Sequence, residues 1–313
     1  MGKDFMEKPL FGMFHTAYET SRENFYELVD SDYMNTIIVE ANIGNEAFEI
    51  NMSELVKRKD KCVWIAVAGY GFSSKNDATT IADTGETVSV FNPVTTMRAD
   101  YKERVDNLIS YLKEKGYYDS VVGFYMDEPL LWNITNDMLE EFTGYFRTVA
   151  APDKRFFICF SVAGVAPESW TINDVKPINP KSSQYITDIA FDMYHPWSDE
   201  YQKIVDLMVE RAGGEREDLR FWMIPCVMNY RGDKTEEHCL EHLQKCYEML
   251  SKFEPKGGLM CYTSYTFPAD VEALGNVGID YLSNPEYKDY WPRLVAEIKR
   301  IGRLFVEGRA FKE

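Results

Sequence analysis

Side chains that could do acid–base chemistry follow several apolar runs of this 313-residue chain, at the point where each run ends. Carboxylates and imidazoles are the groups that most often transfer protons in enzymes. An ionisable group at the end of an otherwise apolar run is costly to desolvate unless it has a partner or a task. Four carboxylates and two imidazoles occupy such positions: Glu40, Asp127, Glu128, Asp192, His15 and His195. They predict one site at which protons are transferred.

Amide and aromatic side chains follow the same runs. Sugar rings have apolar C–H faces that stack on aromatic planes, and their hydroxyls need carboxylate, amide or imidazole partners. Asn42 and Asn229 supply amides. The aromatic residues in or beside these loops are Tyr70, Phe72, Trp132, Trp170, Tyr194, Trp197, Tyr230 and Tyr265. This combination indicates a carbohydrate ligand.

The elements that must position these residues alternate along the chain. Eight near-continuous apolar runs, typical of strands covered on both faces, are separated by amphipathic stretches. The runs are Leu10–His15, Thr36–Glu40, Val63–Ala68, Val121–Met126, Phe156–Phe160, Ile189–Tyr194, Phe221–Val227 and Gly258–Tyr262. Between them, segments such as Asn136–Val149 carry their apolar residues on one helical stripe. The alternation predicts an α/β fold, a single (β/α)8 TIM barrel over residues 1–313.

A doubly wound sheet is the alternative fold for such a pattern. It would usually have a Gly-rich turn after its first strand, and here that turn reads His15-Thr16-Ala17-Tyr18. Two long connections, at about 69–99 and 263–283, follow the third and eighth strands. Both are expected on the C-terminal face of the barrel, where they would serve function or carry small elements of their own.

Three short motifs end the fourth, sixth and eighth predicted strands. The first, Gly123-Phe124-Tyr125-Met126-Asp127-Glu128-Pro129, resembles the fourth-strand motif of (β/α)8-barrel glycoside hydrolases, in which the Glu is the general acid/base. Asp192-Met193-Tyr194-His195-Pro196-Trp197 is similar to the ending of their sixth strand, and Gly258-Leu259-Met260-Cys261-Tyr262-Thr263-Ser264-Tyr265 to their eighth. The resemblance implies a glycosidase with Glu128 as general acid/base.

The sequence departs from that family pattern at two positions. The seventh strand, Phe221–Val227, has no carboxylate at its end, where retaining relatives have a nucleophilic Glu. Met126 stands two residues before Glu128, where substrate-assisted relatives have a carboxylate. Glycoside hydrolysis usually needs two carboxyl groups. Asp192 and Glu40 are the candidates for the second, and we favour Asp192 as nucleophile or base.

The remaining candidates are expected to bind the sugar. Asp127 adjoins Glu128, so on an extended strand the two side chains would point to opposite faces. The predicted substrate-binding residues are His15, Glu40, Asn42, Tyr70, Asp127, Trp132, Tyr194, His195, Trp197, Asn229 and Tyr265.

Two other functions fit the same residues. One is a carbohydrate-binding barrel without catalysis. The other is a metal-dependent barrel enzyme that uses His15, Glu40, Glu128, Asp192 and His195 as ligands. Metal barrels more often carry His-x-His on the first strand, which this chain lacks, so we expect no metal and no cofactor.

The amino-acid composition argues against some classes of binding partner. A net charge of −17 argues against binding to nucleic acid or to an anionic membrane surface. No apolar stretch is long enough to span a bilayer. The first residues have no signal-peptide pattern, so we expect a cytoplasmic protein, although removal of a leader would leave the same trace. The oligomeric state is left open.

Two further patterns have structural interpretations. The six cysteines lack metal-ligand spacing and are expected to be buried free thiols. His238 and His242 are expected on a solvated helix face.

Overall fold

Eight parallel strands form a nearly closed barrel in the computed structural model of the chain. The structure describes residues 5, 8–76, 79–81, 87–89, 93–169, 175–195, 197–214 and 216–312, without the side chains of 76, 79–81, 87–89 and 270. The strands are β1 Leu10–Met13, β2 Thr36–Glu40, β3 Cys62–Ala66, β4 Val121–Asp127, β5 Arg155–Ser161, β6 Asp188–Asp192, β7 Arg220–Met223 and β8 Lys256–Cys261. Each strand pairs with the next in sequence from β2 to β8, and β8 pairs with β1. The predicted α/β TIM barrel is therefore confirmed.

Helices surround this barrel. The long ones are α1 Arg22–Val29, α2 Glu46–Lys57, α3 Tyr101–Glu114, α4 Asn136–Val149, α5 Asp199–Arg211, α6 Glu236–Leu250 and α7 Pro292–Val306. Helices of seven residues or fewer cover Ala68–Gly71, Tyr118–Ser120, Val162–Val165, Pro180–Ser183, Tyr230–Gly232, Pro268–Leu274 and Ile279–Leu282. Within the described residues, only such short helices connect β5 to β6. None of the described helices is both long and apolar enough to cross a membrane.

The barrel closes between β1 and β2 through Asn35. Its backbone amide donates to the Phe11 carbonyl at 3.0 Å, and its side-chain oxygen accepts from the Phe11 amide at 2.8 Å. The Asn35 side chain thus replaces one of the backbone hydrogen bonds that a regular ladder would form between β1 and β2. Both residues are buried, so these two bonds satisfy groups that water does not reach.

Large side chains fill the interior of the barrel. Trp222 stacks on Phe157 with ring centroids 4.6 Å apart, and Trp64 meets both rings edge-on. Beside them Arg155 pairs with Asp188, which is fully buried and also accepts from the Trp222 indole at 2.7 Å. This packed layer holds the strands whose other ends carry the acidic residues.

The connection at about 69–99 contains small elements of its own. Strands Phe72–Asn76 and Pro93–Met97 pair antiparallel, and Thr79–Ile81 pairs with Thr87–Ser89. Other parts of this predicted loop, and Trp170, lie outside the described residues. All six cysteines are buried and free, as expected.

Candidate functional site

The end of β4 turns sharply at Glu128. The Glu128 amide continues the ladder by donating to the Cys159 carbonyl of β5 at 2.8 Å. Glu128 has a φ of 39°, in the left-handed region that residues other than glycine seldom adopt. The Leu131 amide then donates back to the Glu128 carbonyl at 3.0 Å. Because of this turn, Asp127 and Glu128 line the same cavity, and the prediction that they point to opposite faces is wrong.

That cavity, called the main cavity below, has a volume of about 630 Å³ and lies at the C-terminal ends of the strands. Six of the predicted site residues line it: Asp127, Glu128, Asp192, His15, Tyr194 and His195. Aromatic rings of Phe14, Tyr230 and Tyr262 complete its walls, and Tyr194 stacks on Tyr262 with centroids 4.7 Å apart. The cavity combines carboxylates with flat apolar surfaces, which is the combination that a sugar ring requires.

Glu128 and Asp192 lie within hydrogen-bonding reach of each other. Burial raises the pKa of Glu128, and the negative charges of Asp192 and Asp127 raise it further. Burial also raises the pKa of Asp192, with Asp127 adding to the effect, while the Tyr194 hydroxyl stabilises the ionised form. The pair therefore keeps a proton at pH values where isolated carboxyls are ionised.

One buried oxygen of the Asp192 carboxyl group, Oδ1, accepts no hydrogen bond from any of the described residues. Buried polar atoms without partners are uncommon, and each one calls for an explanation. Asp192 lines the main cavity, so this unsatisfied oxygen belongs to a residue of the candidate site.

Asp127 has a partner on its own strand. The Tyr125 hydroxyl donates to Asp127 Oδ1 at 2.7 Å and stabilises the ionised form. The Asp127 carboxyl faces water inside the cavity, but the walls around it limit its solvation and raise its pKa. Its charge acts on both Glu128 and Asp192.

Unusual backbone conformations concentrate around the main cavity. Five non-glycine residues among those described have positive φ, and three of them line this cavity: His15 at 58°, Glu128 at 39° and Arg231 at 57°. Such conformations cost energy and persist where the surrounding structure enforces them, often at functional sites. The local backbone is therefore organised around this cavity.

Charged residues from the loop after β7 form one side of the main cavity. The Arg231 guanidinium lies 5.2 Å from the ring centre of Tyr230. Lys234, whose side chain is 7% exposed, pairs with the exposed Asp233 at 2.7 Å. These two cations stand among several acidic residues, including Glu200.

A second cavity of about 300 Å³ shares Asp127 with the main cavity. Glu40 and Trp132, two further predicted site residues, line it together with Tyr125 and Ser74. Trp132 is 39% exposed, so part of its indole is accessible. Burial raises the pKa of Glu40, and the charges of Glu19 and Asp127 add to the effect. The two cavities, which share Asp127 as a lining residue, are together called the groove below.

The other predicted binding residues do not line either cavity. Tyr70 borders a separate pocket of about 330 Å³ with Ile43 and Arg104. Asn42 is exposed after β2. Trp197 stacks on Tyr201 of α5, with ring centroids 4.3 Å apart.

Asn229 and Tyr265 also contact protein groups. Asn229 is buried, and its side-chain oxygen accepts from the Lys234 amide at 3.1 Å. Tyr265 packs edge-on against Phe267, with centroids 5.1 Å apart. Both residues hold loops that surround the main cavity.

Several cavity residues were absent from the prediction. Tyr262 ends the eighth predicted strand, and Tyr125 precedes the Asp127-Glu128 pair by two residues, so strand position could have indicated both. Arg231 and Lys234 gave no such signal, because a loop with mixed charges is ordinarily a solvated surface.

The histidine pair on α6 differs from its expected role. His242 is fully buried, so its assignment to a solvated helix face is wrong. It sits on the inner side of α6 and bonds both α5 and the segment after β7. Across the described residues, no group of three or more His, Cys, Asp and Glu side chains could hold a metal ion.

Comparison with known proteins gives a likeness in fold. The sequence matches no family model and no curated protein. Among solved structures, the GH2 β-galacturonidase from Eisenbergiella tayi, bound to galacturonate, aligns with a TM-score of 0.52 at 10% identity. The alignment covers 95% of this chain and 51% of that one, so the chain spans about half the length of this neighbour.

A chitinase from Bacteroides thetaiotaomicron aligns with a TM-score of 0.49 at 13% identity, covering 82% of this chain and 89% of that one. A fungal endo-β-N-acetylglucosaminidase of glycosyl hydrolase family 18 aligns with a TM-score of 0.49 at 11% identity, covering 95% and 96%. At these identities the likeness concerns the fold. The chain itself has a (β/α)8 barrel.

Proposed function

We propose that this protein is a glycoside hydrolase in which Glu128 is the general acid/base and Asp192 is the second carboxyl group. The observation that carries the proposal is the Glu128–Asp192 pair at the main cavity, with Asp192 Oδ1 buried and unpartnered among the described residues. Pairs of carboxyl groups with shifted pKa values are the usual means of glycoside cleavage.

Glu128 is suited to donate a proton. Its raised pKa keeps it protonated near neutral pH, so it can protonate the glycosidic oxygen as the bond to the anomeric carbon breaks. The negative charges of Asp127 and Asp192 then stabilise the positive charge that develops on the sugar ring.

Asp192 is suited to act as the nucleophile. Retaining enzymes place their carboxyls roughly 5–5.5 Å apart and inverting enzymes roughly 6.5–9.5 Å apart, and Glu128 and Asp192, which lie within hydrogen-bonding reach, are closer to the retaining spacing. In the retaining route, an Asp192 oxygen bonds to the anomeric carbon as the leaving group departs with the Glu128 proton. Water then attacks that carbon, gives its proton to Glu128 and releases Asp192.

The groove suggests a substrate of more than one ring. The main cavity and the second cavity meet at Asp127, so a ligand bound beside Glu128 can extend toward Trp132. The partly exposed indole of Trp132 supports contact with a further sugar unit there. We therefore propose an oligosaccharide or an aryl glycoside as the substrate.

A panel of chromogenic glycosides and natural oligosaccharides tests the proposal. Glu128→Gln keeps the side chain's size but removes the transferable proton, so it should slow hydrolysis of natural glycosides by at least about 10²-fold. Activated aryl glycosides, which need little protonation, should lose less on bond cleavage. Asp192→Asn should slow both kinds of substrate.

The outcomes separate the alternatives. Wild-type rates for Glu128→Gln on a natural glycoside would contradict the assigned acid. Sugar binding without turnover of any glycoside would favour a carbohydrate-binding barrel. Activity lost on dialysis against a chelator and restored by a divalent metal would favour the metal-dependent alternative.

A further inference from the structure

A chain of hydrogen bonds joins the segment after β7 to the end of β6. The Cys226 amide donates to His242 Nδ1 at 3.0 Å, and His242 Nε2 bonds the Tyr201 hydroxyl. That hydroxyl also bonds the Met193 carbonyl. All four residues are buried, so water does not compete for these groups.

The direction of each bond follows from the first donor. Since the Cys226 amide donates to Nδ1, that nitrogen carries no proton, and Nε2 carries the one proton of the neutral ring. Nε2 therefore donates to the Tyr201 oxygen, and the Tyr201 hydroxyl donates to the Met193 carbonyl. Burial lowers the pKa of His242 to about 3, so the ring stays neutral at the pH values where most enzymes work.

The Met193 peptide lies between the two residues that matter for the carboxyl pair. Asp192 precedes it, and Tyr194, whose hydroxyl stabilises ionised Asp192, follows it. β6 ends at Asp192, and beyond it the Met193 carbonyl accepts from the Tyr201 hydroxyl and also lies within reach of the His242 ring. Removing that hydroxyl takes one buried donor away from the carbonyl and weakens the hold on the Met193 peptide.

We propose that Tyr201 and His242 are positioning residues, which fix the Met193 peptide and thereby hold Asp192 and Tyr194 in register with Glu128. The effect on catalysis rests on the proposed function, whereas the effect on Asp192 does not. Tyr201 and His242 touch neither cavity, and they act through the backbone of the β6 end.

Several ionisable groups lie around this series of hydrogen bonds. Asp192 is faced by Asp127 and Glu128 from β4 and by Tyr194. His242 is faced by His238 on its own helix and by Lys234 from the preceding loop. Tyr201 also lies near Cys226 and Cys246.

Tyr201→Phe is the test variant, because the ring that stacks on Trp197 remains and only the hydroxyl is lost. Tyr247→Phe is the matched control, since its hydroxyl accepts from the Phe311 amide at 3.0 Å and lies outside the groove. Tyr201→Phe should lower kcat roughly tenfold with KM unchanged. The limb of the pH–rate profile that reports ionisation of Asp192 should move to higher pH, because the Tyr194 donor is misplaced.

Carbon-13 NMR titration of the carboxyl groups in Tyr201→Phe provides a readout that needs no turnover. The pKa of Asp192 should be higher than in the wild type and in Tyr247→Phe. His242→Leu, which removes the other member of the chain, should give the same direction of change.

A Tyr201→Phe protein with a lower melting temperature but an unchanged Asp192 titration and kcat would overturn the proposal, leaving a purely structural role. If the wild type cleaves no glycoside, the proposed function fails while the NMR comparison still decides the positioning role.

Discussion

Two raised carboxyl pKa values at one cavity tie the stability of the fold to pH. Glu128 binds its proton more tightly in the folded chain than in the unfolded chain, where its pKa is near 4.5. Between that value and the folded pKa, the native state holds more protons, so the free energy of unfolding falls as pH rises. We expect Glu128→Gln to melt at a higher temperature than the wild type at pH 7–8.

The pH dependence distinguishes this effect from a general change in packing. Below pH 4 both states of the wild type are protonated, so the advantage of Glu128→Gln should vanish there. Thermal unfolding monitored by circular dichroism from below pH 4 to pH 8 measures the difference in melting temperature between the two proteins. Glu114→Gln, at an exposed position on α3, should show no such trend. A gain independent of pH would contradict the raised pKa of Glu128.

Asp127 acts electrostatically on both members of the carboxyl pair. Its negative charge raises the pKa of both Glu128 and Asp192. Replacing it with Asn removes that charge, so both pKa values should fall and both limbs of the kcat/KM profile should move to lower pH. Asp106→Asn, an exposed substitution on α3, is the control. Unmoved limbs would show that Asp127 does not act on the pair.

The acidic residues could be predicted from the sequence, but their mutual orientation could not. Glu128 and Asp192 are recognisable because charged groups rarely end apolar runs without a task. The turn at Glu128 depends on a positive φ, which the local sequence does not indicate. The stacking of Trp197 on Tyr201 could not be predicted either, because the partner of an aromatic side chain is set by tertiary packing.

At the level of elements, the strands were recognisable and their ends were less so. Strands covered on both faces are apolar throughout, and β2 has the predicted bounds of Thr36–Glu40. The seventh run was predicted to reach Val227, but β7 ends at Met223, beyond which only isolated bridges such as Asp192 to Ile224 continue. In that segment Ile224 still packs in the barrel interior with Trp222, whereas Cys226, Val227 and Met228 belong to the larger core cluster.

The seam between β1 and β2 gives an element-scale prediction. Asn35→Leu removes the side-chain acceptor of the buried Phe11 amide, which should lower the free energy of unfolding by about 1–3 kcal/mol. Denaturant titration measures the change. Asn107→Ala, at an exposed position on α3, should alter stability by less than about 0.5 kcal/mol. A neutral Asn35→Leu would mean that β1 and β2 are held by packing alone.

At the scale of the whole molecule, the groove shares the acidic character of the chain. The chain carries a net charge of −17. Of the described residues that line the main cavity, five bear carboxylates and only Arg231 and Lys234 bear permanent positive charge. The second cavity adds Glu40. A protonated Glu128 reduces this excess by one and leaves the groove acidic.

An acidic sugar should therefore be a poor substrate. We expect kcat/KM for a 4-nitrophenyl glycoside of a neutral sugar to exceed that for the matching uronide, whose carboxylate the groove repels. The Debye length is about 10 Å at 0.1 M salt and 3 Å at 1 M, so added salt should raise kcat/KM for the uronide and narrow the difference. Steady-state kinetics of each pair at the two salt concentrations measures this. Faster turnover of the uronide than of the neutral glycoside at low salt would contradict the prediction. If the Arg231→Ala substitution then abolished this preference for the uronide, the loop after β7 would be what determines the charge preference.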